Sequence, residues 1–350
     1  EKKIINQLEF SLTNDQKKSL DEINKDLSSS NKMFRLLQGD VGSGKTIVSL
    51  IAAYNTVNSG FQVAIMAPTE ILARQHFNFA KKLFPKKINI ELISGKSEYK
   101  SKKEILDKLS NNKIDIIFGT HAIFQKKVNF KNLGLIIIDE QHKFGVNQRK
   151  RLSDKGGNNC DVLLMTATPI PRTLAMSVYG DLDYSVIDEM PAGRKAIKTA
   201  HRFGFAREKI WQFMKDEIGR GRQAYIVYPL IEESETMHYK DLNNGYDELL
   251  HYFPRPEYQV EMLHGKMKPS DKEAKMKDFA EGKIDILVST TVIEVGINVP
   301  NATIMIIEHA ERFGLTQLHQ LRGRVGRGEK QSYCILVART TIKEDAKKRL

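Results

Sequence analysis

The chain has 350 residues, of which 41% are hydrophobic and 28% are charged. That length suits two globular domains, and that composition excludes wholesale disorder. No uninterrupted apolar run approaches the roughly 20 residues that a membrane-spanning helix needs. The net charge of +12 is shared by both halves of the chain. It weakly favours a polyanion such as nucleic acid as partner, although a generally lysine-rich composition would explain it too.

The cysteines and the first residues of the chain indicate the cellular compartment in which the protein is expected. Cys160 and Cys334 lie far apart, so they form neither a disulfide framework nor a zinc site, and a reducing compartment is expected. The chain begins Glu1-Lys2-Lys3, which is neither an apolar signal region nor an initiating Met. We therefore expect a cytoplasmic protein and a segment cut from a longer chain.

Short apolar runs alternate with longer amphipathic stretches along nearly the whole chain. This alternation is typical of βαβ units, and runs that are apolar throughout indicate strands buried on both faces of a parallel sheet. We predict helices over residues 47–57, 71–83 and 104–109, and a helix followed by a surface loop within residues 238–258. Strands are predicted over residues 34–38, 63–67, 88–93, 114–118, 135–138, 162–165, 224–227, 260–263, 284–288, 304–307 and 333–337.

The alternation stops at residues 189–195, where Pro191 and Gly193 stand among charged side chains. Pro and Gly beside charged residues are typical of an interdomain linker. The sequence therefore predicts an α/β protein with two domains, residues 1–190 and 191–350. Each domain is expected to be a mostly parallel sheet flanked by helices.

Residues 39–46, Gly-Asp-Val-Gly-Ser-Gly-Lys-Thr, match the phosphate-binding loop pattern G-x-x-x-x-G-K-[ST]. A predicted strand precedes them and a predicted helix follows, which is the context that the pattern needs. Glycines let backbone N–H groups surround phosphate oxygens, and the helix N-terminus adds its positive end. Lys45 is expected to reach the β- and γ-phosphates of ATP, and the Thr46 hydroxyl is expected to bind Mg²⁺.

Asp139 and Glu140 follow directly after the predicted strand 135–138. An Asp at the end of such a strand places a second Mg²⁺-binding group beside the first in P-loop enzymes. Glu140 can orient or deprotonate the attacking water, which predicts hydrolysis of ATP rather than binding alone. His142 is either an ordinary surface residue or a link between the γ-phosphate and neighbouring loops. Its position just after the acidic pair favours the link.

Three arginines stand among glycines in residues 317–328. Guanidinium groups bind phosphate bidentately, and glycines allow the backbone to approach a ligand closely. We expect Arg324 and Arg327, three residues apart, to lie on one helix face and to serve as arginine fingers for the ATP phosphates. The alternative is an arginine patch for nucleic acid phosphates, a use that Arg322 would also suit.

Together, these segments resemble the motifs of the superfamily 2 helicases, and within them the RecG branched-DNA helicases. Residues 8–16 resemble the leader that contacts adenine, and the resemblance covers essentially the whole chain. Residues 225–234 and 264–267 are the segments most similar to RecG. The other segments that resemble helicase motifs are residues 39–46, 67–76, 119–123, 139–142, 166–174, 289–296 and 320–327.

The resemblance implies two RecA-like domains with ATP·Mg²⁺ between them, and ATP hydrolysis coupled to movement on branched DNA in recombination and repair. Thr46 and Asp139 would hold the Mg²⁺. The catalytic residues would be Lys45, Asp139, Glu140, Arg324 and Arg327. The nucleotide-binding residues would be Phe10, Gln16, Gly39, Asp40, Val41, Gly42, Ser43, Gly44, Lys45, Thr46 and Gln320.

The same resemblance assigns residues to DNA and to coupling. Hydroxyl and guanidinium groups can bond phosphate oxygens, and the candidate DNA contacts are Thr69, Arg74, Thr120 and Thr290. Thr166 and Thr168 would couple the state of the nucleotide to domain closure, and His142 would couple the γ-phosphate to neighbouring loops.

Members of the resembled family carry an oligonucleotide-binding wedge domain before the helicase core and a helical hairpin after it. We therefore expect this chain to be a helicase core fragment, monomeric, without a membrane partner and associated with the nucleoid in a bacterial cytoplasm. Two alternatives stay open. One is the motor of a transcription-repair coupling factor, and the other is a nucleotide-switched clamp on nucleic acid, against which Glu140 argues because a clamp needs no water activator.

Overall fold

The chain forms two compact units, Glu1–Ala192 and Gly193–Leu350. The computed structural model describes residues 2–8, 10–93, 99–125, 127–140, 160–167, 182–189, 195–229, 235–290, 299–326, 328 and 330–340.

The described part of the first unit is a seven-stranded sheet with the strand order β3-β4-β2-β5-β6-β1-β7, and every neighbouring pair is parallel. Its strands are β1 (Phe34–Gly39), β2 (Gln62–Met66), β3 (Ile90–Ile93), β4 (Ile116–Gly119), β5 (Leu133–Ile138), β6 (Asp161–Thr166) and β7 (Asp183–Ile187). Its helices are α1 (Lys2–Ile5), α2 (Asn14–Leu27), α3 (Lys45–Asn58), α4 (Glu70–Leu83) and α5 (Tyr99–Ser110).

Both faces of this sheet are covered by apolar side chains, as continuously apolar strands require. Along β5, Leu135 and Ile137 belong to one core, which includes residues of α2, α3 and α4. Ile136 and Ile138 point to the opposite face and belong to a second core, which includes Leu109 of α5. Because side chains alternate between the two faces of a strand, a single apolar run contributes residues to two cores.

The second unit has a six-stranded parallel sheet among its described residues, in the order β10-β11-β9-β12-β13-β8. Its strands are β8 (Lys198–Phe203), β9 (Gln223–Tyr228), β10 (Val260–Leu263), β11 (Ile286–Thr290), β12 (Ala302–Ile307) and β13 (Tyr333–Ala338). Its helices are α6 (Arg207–Gly219), α7 (Glu235–Tyr252), α8 (Pro269–Ala280) and α9 (Leu315–Arg322). Alternate residues of β12 again supply two cores, one on each face.

The predicted fold class is confirmed, since each unit is a parallel sheet flanked by helices. Two strands were not predicted, β7 and β8, and each lies at the edge of its sheet. Residues of β8 are exposed or half-buried, and those of β7 are only partly buried, so neither strand is a continuous apolar run. Among the described residues, no helix is both long enough and apolar enough to cross a membrane.

Candidate active site

The loop at residues 39–46 joins β1 to α3 at the carboxyl edge of the first sheet. Gly42 and Gly44 have φ angles of +82° and +95°, a region that side chains with a Cβ rarely adopt. A Cβ on Gly44 would also collide with the Gln16 side chain. Gly44, the second glycine of the pattern, is thus required both by its backbone conformation and by the closeness of a neighbouring helix, and Gly42 is required by its backbone conformation.

Polar groups of the loop are arranged as a phosphate site requires. Lys45 Nζ donates to the carbonyl oxygens of Gly39 at 2.6 Å and Asp40 at 2.9 Å, so the ammonium lies over the loop. Ser43 Oγ is buried and makes no hydrogen bond with described residues. The first N–H groups of α3 have no acceptor within the helix. A phosphate group would satisfy these donors, and the residues present fit it.

The leader is tied to this loop through Gln16. Thr13 and Gln16 form a capping box at the start of α2, with Gln16 N–H donating to Thr13 Oγ1 and Thr13 N–H donating to Gln16 Oε1. Gln16 Nε2 donates to the Ser43 carbonyl at 2.7 Å, and the side chain is 1% exposed. Phe10 is 48% exposed, so its ring is open to a ligand. The leader therefore contacts the loop directly, through a buried amide.

A second contact fastens the leader, and sequence reasoning missed it. Glu189 Oε2 accepts the N–H groups of Asn14 and Asp15 at the start of α2. In return, Asp15 Oδ2 accepts the N–H groups of Asp188 and Glu189, just after β7. A carboxylate at a helix N-terminus is favourable. Because the residues are about 175 positions apart, only the fold brings them together.

Asp139 stands at the carboxyl end of β5, two strands from β1 in the sheet. Its carboxylate accepts from His76 Nε2 at 2.8 Å and from the Glu140 N–H at 3.0 Å. Burial opposes ionisation of Asp139, but the hydrogen bond and charge of His76, the charge of Lys45 and the Glu140 N–H lower its pKa below the ordinary value. Asp139 is therefore a carboxylate at neutral pH, and the loop lysine is close enough to influence it.

Glu140 follows with a φ of +52°, which is uncommon for a residue other than glycine. Strained backbone of this kind costs about 1–3 kcal/mol and clusters at functional sites. Thr166 ends β6, the strand between β5 and β1, and is fully buried beside Gln38. Thr46, Asp139 and Thr166 thus lie at the same sheet edge. His142 and Thr168 lie outside the described residues.

The first three candidate DNA contacts follow β2 and β4. Thr69 is the N-cap of α4, and its hydroxyl accepts the Leu72 N–H at 3.3 Å. Arg74 is exposed and pairs with Glu70 one turn earlier at 3.4 Å. Thr120 precedes a short 3₁₀ helix and its side chain makes no capping hydrogen bond. All three belong to segments that leave the carboxyl edge of the first sheet.

In the second unit, Thr290 ends β11 and is 4% exposed, with its hydroxyl buried and without a hydrogen bond among the described residues. Gln320 lies in α9. Arg324 lies beyond the end of that helix, so the prediction that it sits on a helix face is wrong. The helix ends at Arg322 because two glycines follow, Gly323 at the C-cap and Gly326 with a φ of +76°. Arg327 lies outside the described residues.

Comparison with known families agrees with this geometry. A DEAD/DEAH box helicase model matches residues 13–177, and a helicase conserved C-terminal domain model matches residues 207–329. The first match includes the end of the leader, residues 13–16, together with the loop and the Asp139–Glu140 pair. The second includes Thr290, Gln320 and Arg324.

Comparison with individual proteins identifies the type of helicase more narrowly than the two domain models do. The ATP-dependent DNA helicase RecG of Streptococcus pneumoniae is 54% identical over 95% of this chain and 49% of its own length, and that of Bacillus subtilis is 53% identical over 96% and 49%. A solved structure of RecG bound to a three-way DNA junction is 45% identical with a TM-score of 0.83, over 99% of this chain and 45% of that chain. The chain thus spans about half the length of the curated relatives that it matches. From the motifs, the two domain matches and these identities, the chain belongs to the RecG-type helicases.

Proposed function

We propose that this chain is the motor core of an ATP-dependent DNA helicase that acts on branched DNA, such as replication forks and Holliday junctions, in recombination and repair. The observation that carries the proposal is the phosphate-binding loop beside the Asp139–Glu140 pair at one sheet edge. Two relatives named ATP-dependent DNA helicase and one solved with a three-way DNA junction support the substrate class.

We assign ATP and Mg²⁺ as the cofactors. Backbone N–H groups of residues 39–46 and the Lys45 ammonium bind the phosphates, while Thr46 and Asp139 hold Mg²⁺, which neutralises phosphate charge. Among the described residues, no group of three or more His, Cys, Asp and Glu side chains could hold a metal. That agrees with Mg²⁺, which usually takes one or two carboxylates together with phosphate oxygens and water.

Glu140 orients a water molecule for attack on the γ-phosphate and accepts its proton. Phe10 stacks on adenine, for which its exposure suits it, and Gln16 connects that position to the Ser43 carbonyl. In the second unit, residues of the motif after β12 bind the phosphates and stabilise charge in the transition state, and we assign this role to Gln320, Arg324 and Arg327.

DNA phosphates are bound by residues that follow the carboxyl ends of strands in each unit, namely Thr69, Arg74, Thr120 and Thr290. Movement is linked to nucleotide state through His142, Thr166 and Thr168. Thr166 supports this assignment because it is buried between the strand of the phosphate loop and the strand of Asp139.

The functional domains that we propose are residues 1–190 and 191–350, and the division of the chain into compact units at Ala192 supports them. We also propose that the protein works as a monomer in the bacterial cytoplasm, close to the nucleoid. The bacterial sources of its relatives and its net charge of +12 favour a location at DNA.

A steady-state phosphate-release assay tests the function. Hydrolysis is measured with no DNA, with a linear duplex and with a three-way junction of matched composition, each with and without Mg²⁺. We expect hydrolysis that requires Mg²⁺ and is stimulated most by the junction. The Lys45→Ala variant controls for contaminating ATPases. Nucleotide binding without turnover under all conditions would instead favour the clamp on nucleic acid.

A further inference from the structure

One polar side chain interrupts the apolar face of α4. The residues that this helix buries are Ala73, His76, Ala80 and Leu83, spaced so that they share one face. Three of the four are apolar, and His76 is the exception, with 8% of its surface exposed. A buried polar group persists where it has a hydrogen-bond partner. The partner of His76 is Asp139, 63 residues away.

The contact joins two defined atoms. His76 Nε2 lies 2.8 Å from Asp139 Oδ2, a distance at which an imidazole N–H donates to a carboxylate oxygen. Oδ2 takes this bond, and Oδ1 takes the N–H of Glu140. Each carboxylate oxygen therefore has one fixed donor, which sets the plane of the group and leaves its remaining lone pairs to a further ligand.

The sheet explains why α4 reaches this carboxylate. Helix α4 follows β2, and β2 pairs with β5 so that Met66 lies opposite Ile138. The Asp139 N–H donates to the Met66 carbonyl at 2.9 Å, which fixes the start of the Asp139 segment to the end of β2. The same helix begins at the cap Thr69 and carries Arg74, both assigned above to DNA phosphates.

We propose that His76 is a positioning residue, which holds the Asp139 carboxylate in the orientation that binds Mg²⁺ and ties that orientation to the place of helix α4. This inference rests on the proposed function of the Asp139 site. Donors that orient a metal-binding carboxylate act through geometry, and their loss costs about 10–100-fold in metal affinity or activity. Helix α4, which begins at a proposed DNA contact, is then connected to the Mg²⁺ site by the hydrogen bond between His76 and Asp139.

Two substitutions of His76 introduce the same polar amide group but differ in how far it extends toward Asp139. In His76→Gln, the amide nitrogen extends about as far as Nε2 and can donate to Asp139. In His76→Asn, the same amide is one methylene shorter and falls short of it. Asn78→Ala, at an exposed position of the same helix, is the matched control. Thermal unfolding of all three variants verifies that they are folded.

The readout is the affinity of the protein–nucleotide complex for Mn²⁺, used in place of Mg²⁺ and followed by electron paramagnetic resonance with a non-hydrolysable ATP analogue. We expect His76→Asn to weaken Mn²⁺ binding about 10–100-fold, and His76→Gln and Asn78→Ala to stay near the parent. Affinity for the nucleotide in EDTA should be unchanged in all variants. Equal Mn²⁺ affinity in the Asn and Gln variants overturns the inference.

The parent protein separates failure of the inference from failure of the proposed function. If the parent binds neither nucleotide nor Mn²⁺, the proposed function fails before His76 is tested. If the parent binds both, stimulation of hydrolysis by junction DNA is the second measurement. His76→Asn should lower the ratio of stimulated to unstimulated turnover, while His76→Gln preserves it. An unchanged ratio in His76→Asn contradicts the link between α4 and the metal site.

Discussion

Burial and neighbouring polar groups have opposite effects on the pKa of Asp139, and the lowering effect of the neighbours is the larger. Desolvation favours the protonated acid, yet His76, Lys45 and the Glu140 N–H stabilise the carboxylate enough to lower the pKa. A carboxyl group whose pKa is lower in the folded than in the unfolded protein stabilises the fold at pH values above its unfolded-state pKa. That contribution is lost as the pH falls through the pKa of the folded state. At neutral pH the site therefore keeps the negative charge that a divalent cation needs.

At the scale of single residues, the first prediction concerns Glu140. Glu140→Gln keeps the shape of the side chain and removes the carboxylate that would take the proton of water. We expect turnover to fall by about 10²-fold or more while ATP still binds. Phosphate release and fluorescent-nucleotide titration measure the two quantities. Glu104→Gln, at an exposed position of α5, is the control. Turnover within threefold of the parent would remove Glu140 from the role.

Arg324 provides the second prediction. If its guanidinium stabilises charge on the transferring phosphoryl group, Arg324→Ala should lower turnover by about 10³-fold, and nucleotide affinity should change much less. Arg220→Ala is the control, since Arg220 is exposed in the same unit and pairs with Glu217. Loss of DNA affinity with DNA-independent turnover intact would show instead that the arginine belongs to a patch for nucleic acid phosphates.

At the scale of elements, the start of α3 depends on a glycine that touches another helix. Gly44→Ala introduces a Cβ at a φ of +95° and pushes against Gln16. We expect a loss of about 1–2 kcal/mol in unfolding free energy from the backbone alone, and a loss of nucleotide affinity from the displaced loop. Chemical denaturation and nucleotide titration measure the two effects.

Gly60→Ala is the matched control for that variant. Gly60 has a φ of +88°, but nothing lies within 4 Å of the place its Cβ would take. It should lose similar stability and keep full nucleotide affinity. Equal nucleotide affinity in both variants would contradict the role of the Gly44–Gln16 contact in shaping the loop.

Two buried thiols report on the stability of each unit separately. Burial raises the pKa of both Cys160, beside β6, and Cys334, in β13, to about 12. Only about one thiol in 10⁴ is then ionised at pH 8, so we expect neither to react with a thiol reagent in the native protein. Cys160→Ala and Cys334→Ala each leave one reporter, and stepwise denaturant should release it when its unit unfolds. Rapid labelling without denaturant would contradict this prediction.

At the scale of the whole molecule, the charge of +12 is distributed over both units rather than held in a tail. Phosphate binding by dispersed Lys and Arg releases counterions, so affinity for DNA should fall steeply as salt rises, with little sequence preference. Fluorescence anisotropy with one labelled junction at several KCl concentrations measures the slope, and a scrambled junction tests the preference. An affinity independent of salt would exclude phosphate neutralisation as the source of binding.

The buried strands were predictable because their residues are apolar on both faces, as in 135–138 of β5. The phosphate loop was predictable because its chemistry depends on residues adjacent in the chain. The edge strands β7 and β8 were not, since an edge strand needs no continuous apolar run. The helical position of Arg324 was predicted wrongly because spacing alone ignores the effect of the two glycines that follow Arg322.

The sequence by itself determined the fold class, the two-part organisation and the loop between β1 and α3 that carries the phosphate-binding pattern, since each depends on local spacing, apolar periodicity or a contiguous motif. Only the tertiary structure placed Gln16 against Ser43, Glu189 at the start of α2 and His76 against Asp139. No local pattern indicates these contacts. The parallel order of the strands decides them, because it brings segments that are 27 to 175 residues apart to one edge of a sheet.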